Sequence, residues 1–254
     1  MDPRLMDASL APELAPRKFK FTSKPGRDRR TRILAAAREL LQQKSPDEVS
    51  FADVCQKADI PRPSAYHFFP NIQAIFQGLR LLHAETLIQT AISIEEETFR
   101  TWEEYLRRLI DVGVEVTVSD AAFPQLIYGY GPDFAETREI RKNLDNRLAR
   151  LALLGMEQRF VLPEWEKREE VFAVTFAIVD SILRLSFRTR GELAADLIEE
   201  SKRAATAYLQ SYIPAFCPAR EFVPGQSRTQ ESITAEKNQT NTENSSGVDS
   251  EEGT

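Results

Sequence analysis

Residues 50–69, SFADVCQKADIPRPSAYHFF, read as two short helices joined by a tight corner, the pattern of a helix-turn-helix. Ser50 followed three residues later by Asp53 forms a capping box, and Phe51, Val54, Cys55 and Ala58 then share one face of a two-turn helix. Cys55 falls in a small core on that reading. Asp59-Ile60-Pro61 is too short and turn-prone to be anything but a corner, and Pro61 and Pro63 fit only before or within the first turn of the next helix. That helix is expected over about Arg62 to Phe69, with Pro70 ending it.

Working outward, Ile33, Leu34, Ala37, Leu40 and Leu41 put one apolar stripe on a helix from about Asp28 to Lys44, which Ser45-Pro46-Asp47 stops. On the other side Asn71 is a good N-cap, and Ile75, Phe76, Leu79 and Leu82 lie on a longer helix running beyond Thr86. Three short helices thus feed a long fourth.

The net charge of the 254 residues is -6, which argues against nucleic acid if it is spread evenly. It is not spread evenly. Residues 1–82 hold 14 Lys or Arg against 9 Asp or Glu, and the remainder holds 19 against 30. Eight basic residues fall between Arg17 and Arg32, with Asp28 the single acid among them. Such density suits phosphate neutralisation, in which log K falls with log salt by about 0.9 per phosphate contacted. Arg29 and Arg30 are candidate phosphate contacts, and a solvated basic tail is the alternative.

Thr31-Arg32-Ile33-Leu34-Ala35-Ala36-Ala37, the capped second helix, and Ser64-Ala65-Tyr66-His67-Phe68-Phe69-Pro70-Asn71 together resemble the TetR family of bacterial transcription regulators, over about residues 27–87. The resemblance implies an all-α fold: a three-helix DNA-binding head, a linking fourth helix, and a larger, divergent helical body that dimerises and binds a small-molecule effector. It also implies that Arg62, Pro63, Ser64 and Tyr66 face DNA from the recognition helix, with His67 beside them and Thr31 near the phosphates. Their chemistry suits those roles. Arg62 can fork onto guanine O6 and N7, Ser64 can reach a base or a phosphate, and Tyr66 and His67 can donate to phosphate oxygens. A half-buried core aromatic is the alternative for Tyr66, and a plain surface imidazole for His67; Phe68 and Phe69 read as core.

Three positions depart from the family. Members commonly carry His where this chain has Phe68 and Lys where it has Ile72, both phosphate-facing, and Gly at the turn position held by Asp59. Asp tolerates a left-handed backbone better than most residues, so the turn survives. The segment from Lys18 to Arg32 is the candidate to supply the missing backbone affinity, along the phosphates or in a neighbouring minor groove. Deleting residues 1–26 should then lower operator affinity and its salt slope.

Beyond the head, helices are expected over about 99–118, 121–130, 134–160, 164–188 and 192–212, punctuated by Gly129, Gly131-Pro132, Leu162-Pro163 and Gly191. The last two are candidates for dimerisation. Phe172, Val179 and Leu183 lie along an apolar face, and Ala173, Ala177 and Ser181 beside them would let a partner helix approach; packing within the monomer is the alternative. One short recognition helix contacts few base pairs, so a two-fold homodimer on a palindromic operator has an independent argument. Trp102, Tyr105, Phe123, Tyr128, Tyr130, Trp165, Phe172 and Phe176 are candidate walls of an effector pocket, although aromatics at helical spacing equally form core. Arg107, Arg108 and Arg184 could meet an anionic ligand or form ion pairs.

Catalysis finds no support. His67 and His83 are the only histidines, no HExxH, GxSxG, GxGxxG or GxxxxGK[ST] motif occurs, and Glu95-Glu96-Glu97 has no metal-ligand partner spaced with it. No enzyme activity, metal or cofactor is expected. Cys55 and Cys217, without paired spacing, suit a reducing cytosol, and no run approaches the roughly 18 apolar residues that would cross a bilayer. The expectation is a soluble, cytoplasmic protein. Pro214, Pro218 and Pro224 lead into a polar run that predicts disorder to residue 254, so truncation after Phe216 should be harmless.

The division that follows is a flexible basic arm at 1–26, a DNA-binding head at 27–87, an effector-binding and dimerisation body at 88–213, and a disordered tail at 214–254. The whole reads as a regulator that binds a double-stranded DNA operator; that it is a ligand-responsive repressor is what the family resemblance implies. Its rival is an all-helical protein-interaction adaptor whose helix-turn-helix is only a helix corner.

Overall fold

The computed structural model describes residues 24–129 and 135–221. The arm before Lys24, the stretch 130–134 with Tyr130, and the chain from 222 onward lie outside the described residues. Among those described the architecture is all-α: α1 Lys24–Leu41, α2 Phe51–Ala58, α3 Arg62–Tyr66, α4 Ile72–Ser93, α5 Trp102–Val118, α6 Ala122–Pro124, α7 Ala135–Arg159, α8 Arg168–Arg190 and α9 Ala195–Leu209. A single π turn, Gln125–Gly129, continues α6.

In the head, local signals settle most helix ends. The Ser50 hydroxyl accepts from the Asp53 N–H at 3.1 Å, and the Asp53 carboxylate accepts from the Ser50 N–H at 3.0 Å. Asp59 closes α2 in the left-handed region at φ 51°. Asn71 caps α4, its side chain accepting from the Ala74 N–H at 2.8 Å. Two boundaries differ from expectation. Helix α1 begins about four residues early, because Pro25 sits in its first turn, where the missing N–H is no loss. Helix α3 stops at Tyr66, and Phe68 and Phe69 follow in a turn whose N–H groups both donate to the Ala65 carbonyl.

Helix α4 joins the two parts of the molecule. Its Ile75, Phe76 and Leu79 fill the head core with Ile33, Ala37 and Val54, whereas Leu87 and Ala91 belong to the body core with Trp102, Met156 and Phe172. At 22 residues it spans about 33 Å. Gly78 lets α4 approach α1, since a Cβ there would stand 2.9 Å from Leu34 Cδ2. In the body, α8 packs between α7 and α9 and stops at Gly191, whose φ of 74° suits a residue without Cβ.

The body continues past the boundary expected at 213. The Trp102 indole N–H donates to the Pro214 carbonyl at 3.0 Å, Ile213 and Cys217 are buried, and Phe160 pairs with Ala219 in an isolated antiparallel bridge. Val161 N–H donates to Pro218 at 2.8 Å, and Arg220 N–H to Arg159 at 2.7 Å. Residues 214–221 are therefore a docked strap rather than the start of a disordered tail. Prolines end a helix without preventing the chain from packing, and a long polar run outweighed a few anchors in the composition.

Candidate functional site

Helix α3 divides its faces sharply. Ala65 is fully buried and Phe69, just after it, is nearly so, while Arg62, Pro63, Tyr66 and His67 are exposed and Ser64 is half-buried. Tyr66 is 52% exposed and stacks on Phe51 with ring centroids 4.6 Å apart, so it is a supported surface aromatic rather than a core one. Phe68 and Ile72 pack against the head core, so neither position supplies a phosphate donor.

The basic residues of α1 divide as well. Arg32 donates to the carbonyls of Ala58 at 2.6 Å and Asp59 at 3.2 Å, satisfying carbonyls that the end of α2 would otherwise leave open. Arg32 is thereby a structural clamp, and it holds the basic half of α1 against the α2–α3 corner. Arg29 is exposed, and Arg30 and Thr31 are half-buried. Because these residues are helical from Lys24, Arg27 to Arg32 cannot enter a minor groove as an extended arm.

A cavity of about 130 Å³ lies where α4, α5, the π turn, α7 and α8 meet. Of the aromatic candidates, Tyr128 and Phe176 line it. Of the other six, Tyr130 lies outside the described residues, Phe172 is buried in the body core, and four are placed elsewhere. Trp102 is buried beneath the strap, Tyr105 lies under Arg159 with 5.0 Å from guanidinium to ring, Phe123 packs on the head core, and Trp165 lies under Arg168 at 4.7 Å. Arg107 pairs with Glu199, and Arg108 with Glu97 and Glu115, away from the cavity. Arg184 does reach the wall, held by Asp180 at 3.0 Å. Sequence reasoning missed His83, Thr117 and Arg80 on the same wall. The one available signal was a lone histidine in the apolar stretch of α4.

His83 is 4% exposed, its Nε2 is 3.3 Å from Thr117 Oγ1, and the Phe123 ring lies 4.8 Å away. Burial pushes its pKa down to about 4, against the opposing pull of Asp120. Asp120 itself forms a joint between body and head. Its carboxylate accepts from Arg38 and, at 3.1 Å, from Gln42, both on α1, and from the Ala122 N–H at 2.9 Å. Burial alone would raise its pKa, yet these donors hold it below the usual carboxylate value. Ala122 and Leu126 complete the joint by packing in the head core, and Arg80 on α4 donates to the Leu126 carbonyl at 3.0 Å.

The dimerisation candidates also divide. Phe172, Val179 and Leu183 are buried inside the monomer, and Ala173 is half-buried against the same core. Ala177 and Ser181 are exposed, in a row with Val174 at 39% and Leu185 at 40% exposure. Two residues along a helix turn the side chain by about 200°, so Phe172 and Val174 lie on opposite faces.

Residues 33–79 match the family described as bacterial regulatory proteins, tetR family, and residues 101–209 match that described as tetracyclin repressor-like, C-terminal domain. The chain belongs to the TetR family. The HTH-type transcriptional regulator EthR of Mycolicibacterium smegmatis is 32% identical over 101 residues, 40% of this chain and 45% of that protein. The match thus spans less than half of the curated relative. A TetR-family regulator from Streptomyces coelicolor has the same fold at a TM-score of 0.56 and 22% identity, covering 73% of this chain and 98% of the other. A TetR regulator from Rhodococcus sp. RHA1 gives 0.55 at 14% identity, over 73% and 98%. TetR-family proteins are DNA-binding transcription factors, not enzymes. Among the described residues no helix is long and apolar enough to cross a membrane, and no group of three acidic, His or Cys side chains is placed to hold a metal.

Proposed function

We propose that this TetR-family protein is a cytoplasmic, homodimeric, ligand-responsive repressor that binds a palindromic operator. The observation that carries the proposal is the exposed row Arg62, Pro63, Tyr66 and His67, on and just after a helix whose opposite face is buried at Ala65, with Phe69 buried in the turn that follows. Arg62 reads a base edge, and Ser64, Tyr66 and His67 reach phosphates or bases. Thr31, Arg29 and Arg30 take phosphates from α1, in place of the donors that Phe68 and Ile72 do not offer.

The row Val174, Ala177, Ser181 and Leu185 on α8 receives the second copy, and two-fold symmetry then presents two α3 helices to half-sites about one helical turn apart, or a multiple of it. The effector enters the cavity lined by Tyr128 and Phe176. Thr117 on its wall stands three residues before Asp120, so an occupant that displaces the end of α5 loads the joint to Arg38 and Gln42 and thereby tilts the heads.

The test is to select bound fragments from genomic DNA with the full chain and to measure affinity for the enriched site across salt. A palindromic site with a steep salt slope is expected, and Arg62→Ala should weaken binding by about 1–3 kcal/mol per half-site. Failure to enrich any palindrome sinks the proposal, and a flat salt response favours the adaptor reading.

A further inference from the structure

The cavity is long, and its wall is ordered from one end to the other. Helix α4 contributes Arg80, His83, Leu87 and Ala91, a single face of the helix over about 16 Å. Helix α5 runs antiparallel to it, since Thr117 meets His83 at 3.3 Å and a Cβ on Gly113 would meet Leu87 at 3.9 Å. Leu109 and Ile110 therefore stand near the level of Ala91. On α8 the lining runs from Arg184 back to Phe176, about 12 Å along the axis. A volume of about 130 Å³ drawn out over that length is about one chain wide.

The two ends differ in chemistry. At the π turn, Arg80 donates to the Leu126 carbonyl at 3.0 Å, and Arg184 donates to the Ile127 carbonyl at 3.3 Å and to Asp180 at 3.0 Å. Asp145 belongs to the same end, two residues before Arg147, which pairs with Glu85 on α4 at 3.4 Å; it is engaged as well. These four charges sum to zero, so this end is polar but favours neither an anion nor a cation. In the middle, the Thr117 hydroxyl is engaged by the Gly113 carbonyl at 2.7 Å and by His83. At the far end Ala91, Leu109, Ile110 and Phe176 offer no polar side-chain atom. The volume holds roughly six to eight carbons, by comparison with the engineered apolar cavity of about 150 Å³ that binds benzene.

We propose that the cavity takes a straight-chain, uncharged amphiphile, its polar head at the π turn and its alkyl chain lying along α4 toward Ala91. The proposal deepens the reading of this cavity as the effector site and rests on it for its regulatory meaning.

Calorimetry on the full-length protein with straight-chain primary alcohols from butanol to decanol tests it, with hexanoate and hexylamine as charged counterparts of hexanol. Affinity should rise about fourfold with each added methylene, up to about octanol, and then stop rising. Hexanoate and hexylamine should bind at least about tenfold more weakly than hexanol, because each carries a charge into a site with no net charge to meet it. Ala91→Leu fills the far end, and should weaken octanol more than about tenfold and butanol less than about twofold. Should that variant fail to fold, nuclear Overhauser contacts in the wild-type protein decide: the terminal methyl of octanol should lie beside Ala91 and Ile110, and its carbinol protons beside Tyr128. Affinity independent of chain length, no binding, tighter binding of hexanoate or hexylamine, or a terminal methyl beside Tyr128 overturns the proposal. Binding with the expected pattern but without release of the selected operator supports the ligand class and removes the effector reading instead.

Discussion

The head and the body are held together by different means. The head core is apolar throughout its buried side chains, and apart from the Arg32 clamp on the end of α2 its helix ends are tied by hydrogen bonds between near neighbours, such as Ser50 with Asp53 and Asn71 with Ala74. The body buries Thr175, Ser186, Ser201, Arg159 and Lys202. Several of these bridge separate segments. Arg159 reaches the carbonyls of Gly155 at 3.0 Å and Glu97 at 3.4 Å, Lys202 joins Asp111 on α5 to α9, and the Ser186 hydroxyl links to Glu192 and Ala194, both at 2.8 Å. An apolar core with local caps has one good packing, which suits the proposal that Arg62 to His67 are presented to DNA in fixed register. Buried polar groups are sensitive to partner loss and gain, which suits the effector response proposed for this region.

The contrast can be broken at the joint between the two parts. Asp120→Ala leaves Arg38 and Gln42 facing a void and should cost about 3–4 kcal/mol, read as a lower urea midpoint for the whole chain. An unchanged midpoint would mean that head and body do not depend on this contact.

Acid should find the body before the head. Above pH 6.5 His83 is neutral in both states; between 6.5 and about 4 the unfolded chain binds a proton that the folded chain refuses. Stability is therefore full above that window and falls through it by up to about 3 kcal/mol. His83→Phe should flatten that part of the curve of stability against pH, and an equal slope in both proteins would refute the assignment.

Truncation sharpens where the body ends. Ending the chain after Phe216 removes Cys217 and the hydrogen bonds of Arg220 with Arg159 and of Pro218 with Val161, and should cost about 2 kcal/mol in thermal melts. Ending it after Glu221 should cost nothing measurable. Ser50→Ala should cost about 1 kcal/mol, and amide exchange should quicken in α2 but not in α5. The smallest effect carries the opposite sign. A Cβ at Gly113 would meet only Leu87, at 3.9 Å, so Gly113→Ala should stabilise α5 by about 0.5–1 kcal/mol in urea unfolding.

Legibility in the sequence follows the same division. The capping box at Ser50, the corner at Pro61, the left-handed Asp59 and the cap at Asn71 were all readable, because each is decided within four residues of chain. The outward face of α3 came from the family resemblance, which put Arg62, Pro63, Ser64 and Tyr66 toward DNA, and not from spacing. The body's helices were readable too, but their faces were not. Helix α8 carries apolar residues on two sides, so periodicity could not say that Phe172 turns inward while Val174 and Leu185 remain outside. Arg32 looked like one more basic residue of the arm, and only its contact with Ala58 makes it a clamp. Among eight aromatic candidates, nothing local distinguished Tyr128 and Phe176 from the others.

The sequence by itself determined that the chain is helical, where most of its helices begin and end, and that a TetR-type head precedes a larger body. Only the tertiary structure decided which side chains form the cavity, the joint and the outer row of α8. The physical reason is range. Capping and periodicity join residues one turn apart, whereas His83 meets Thr117 across 34 positions and Arg38 meets Asp120 across 82. No local pattern carries that information until the helices have packed.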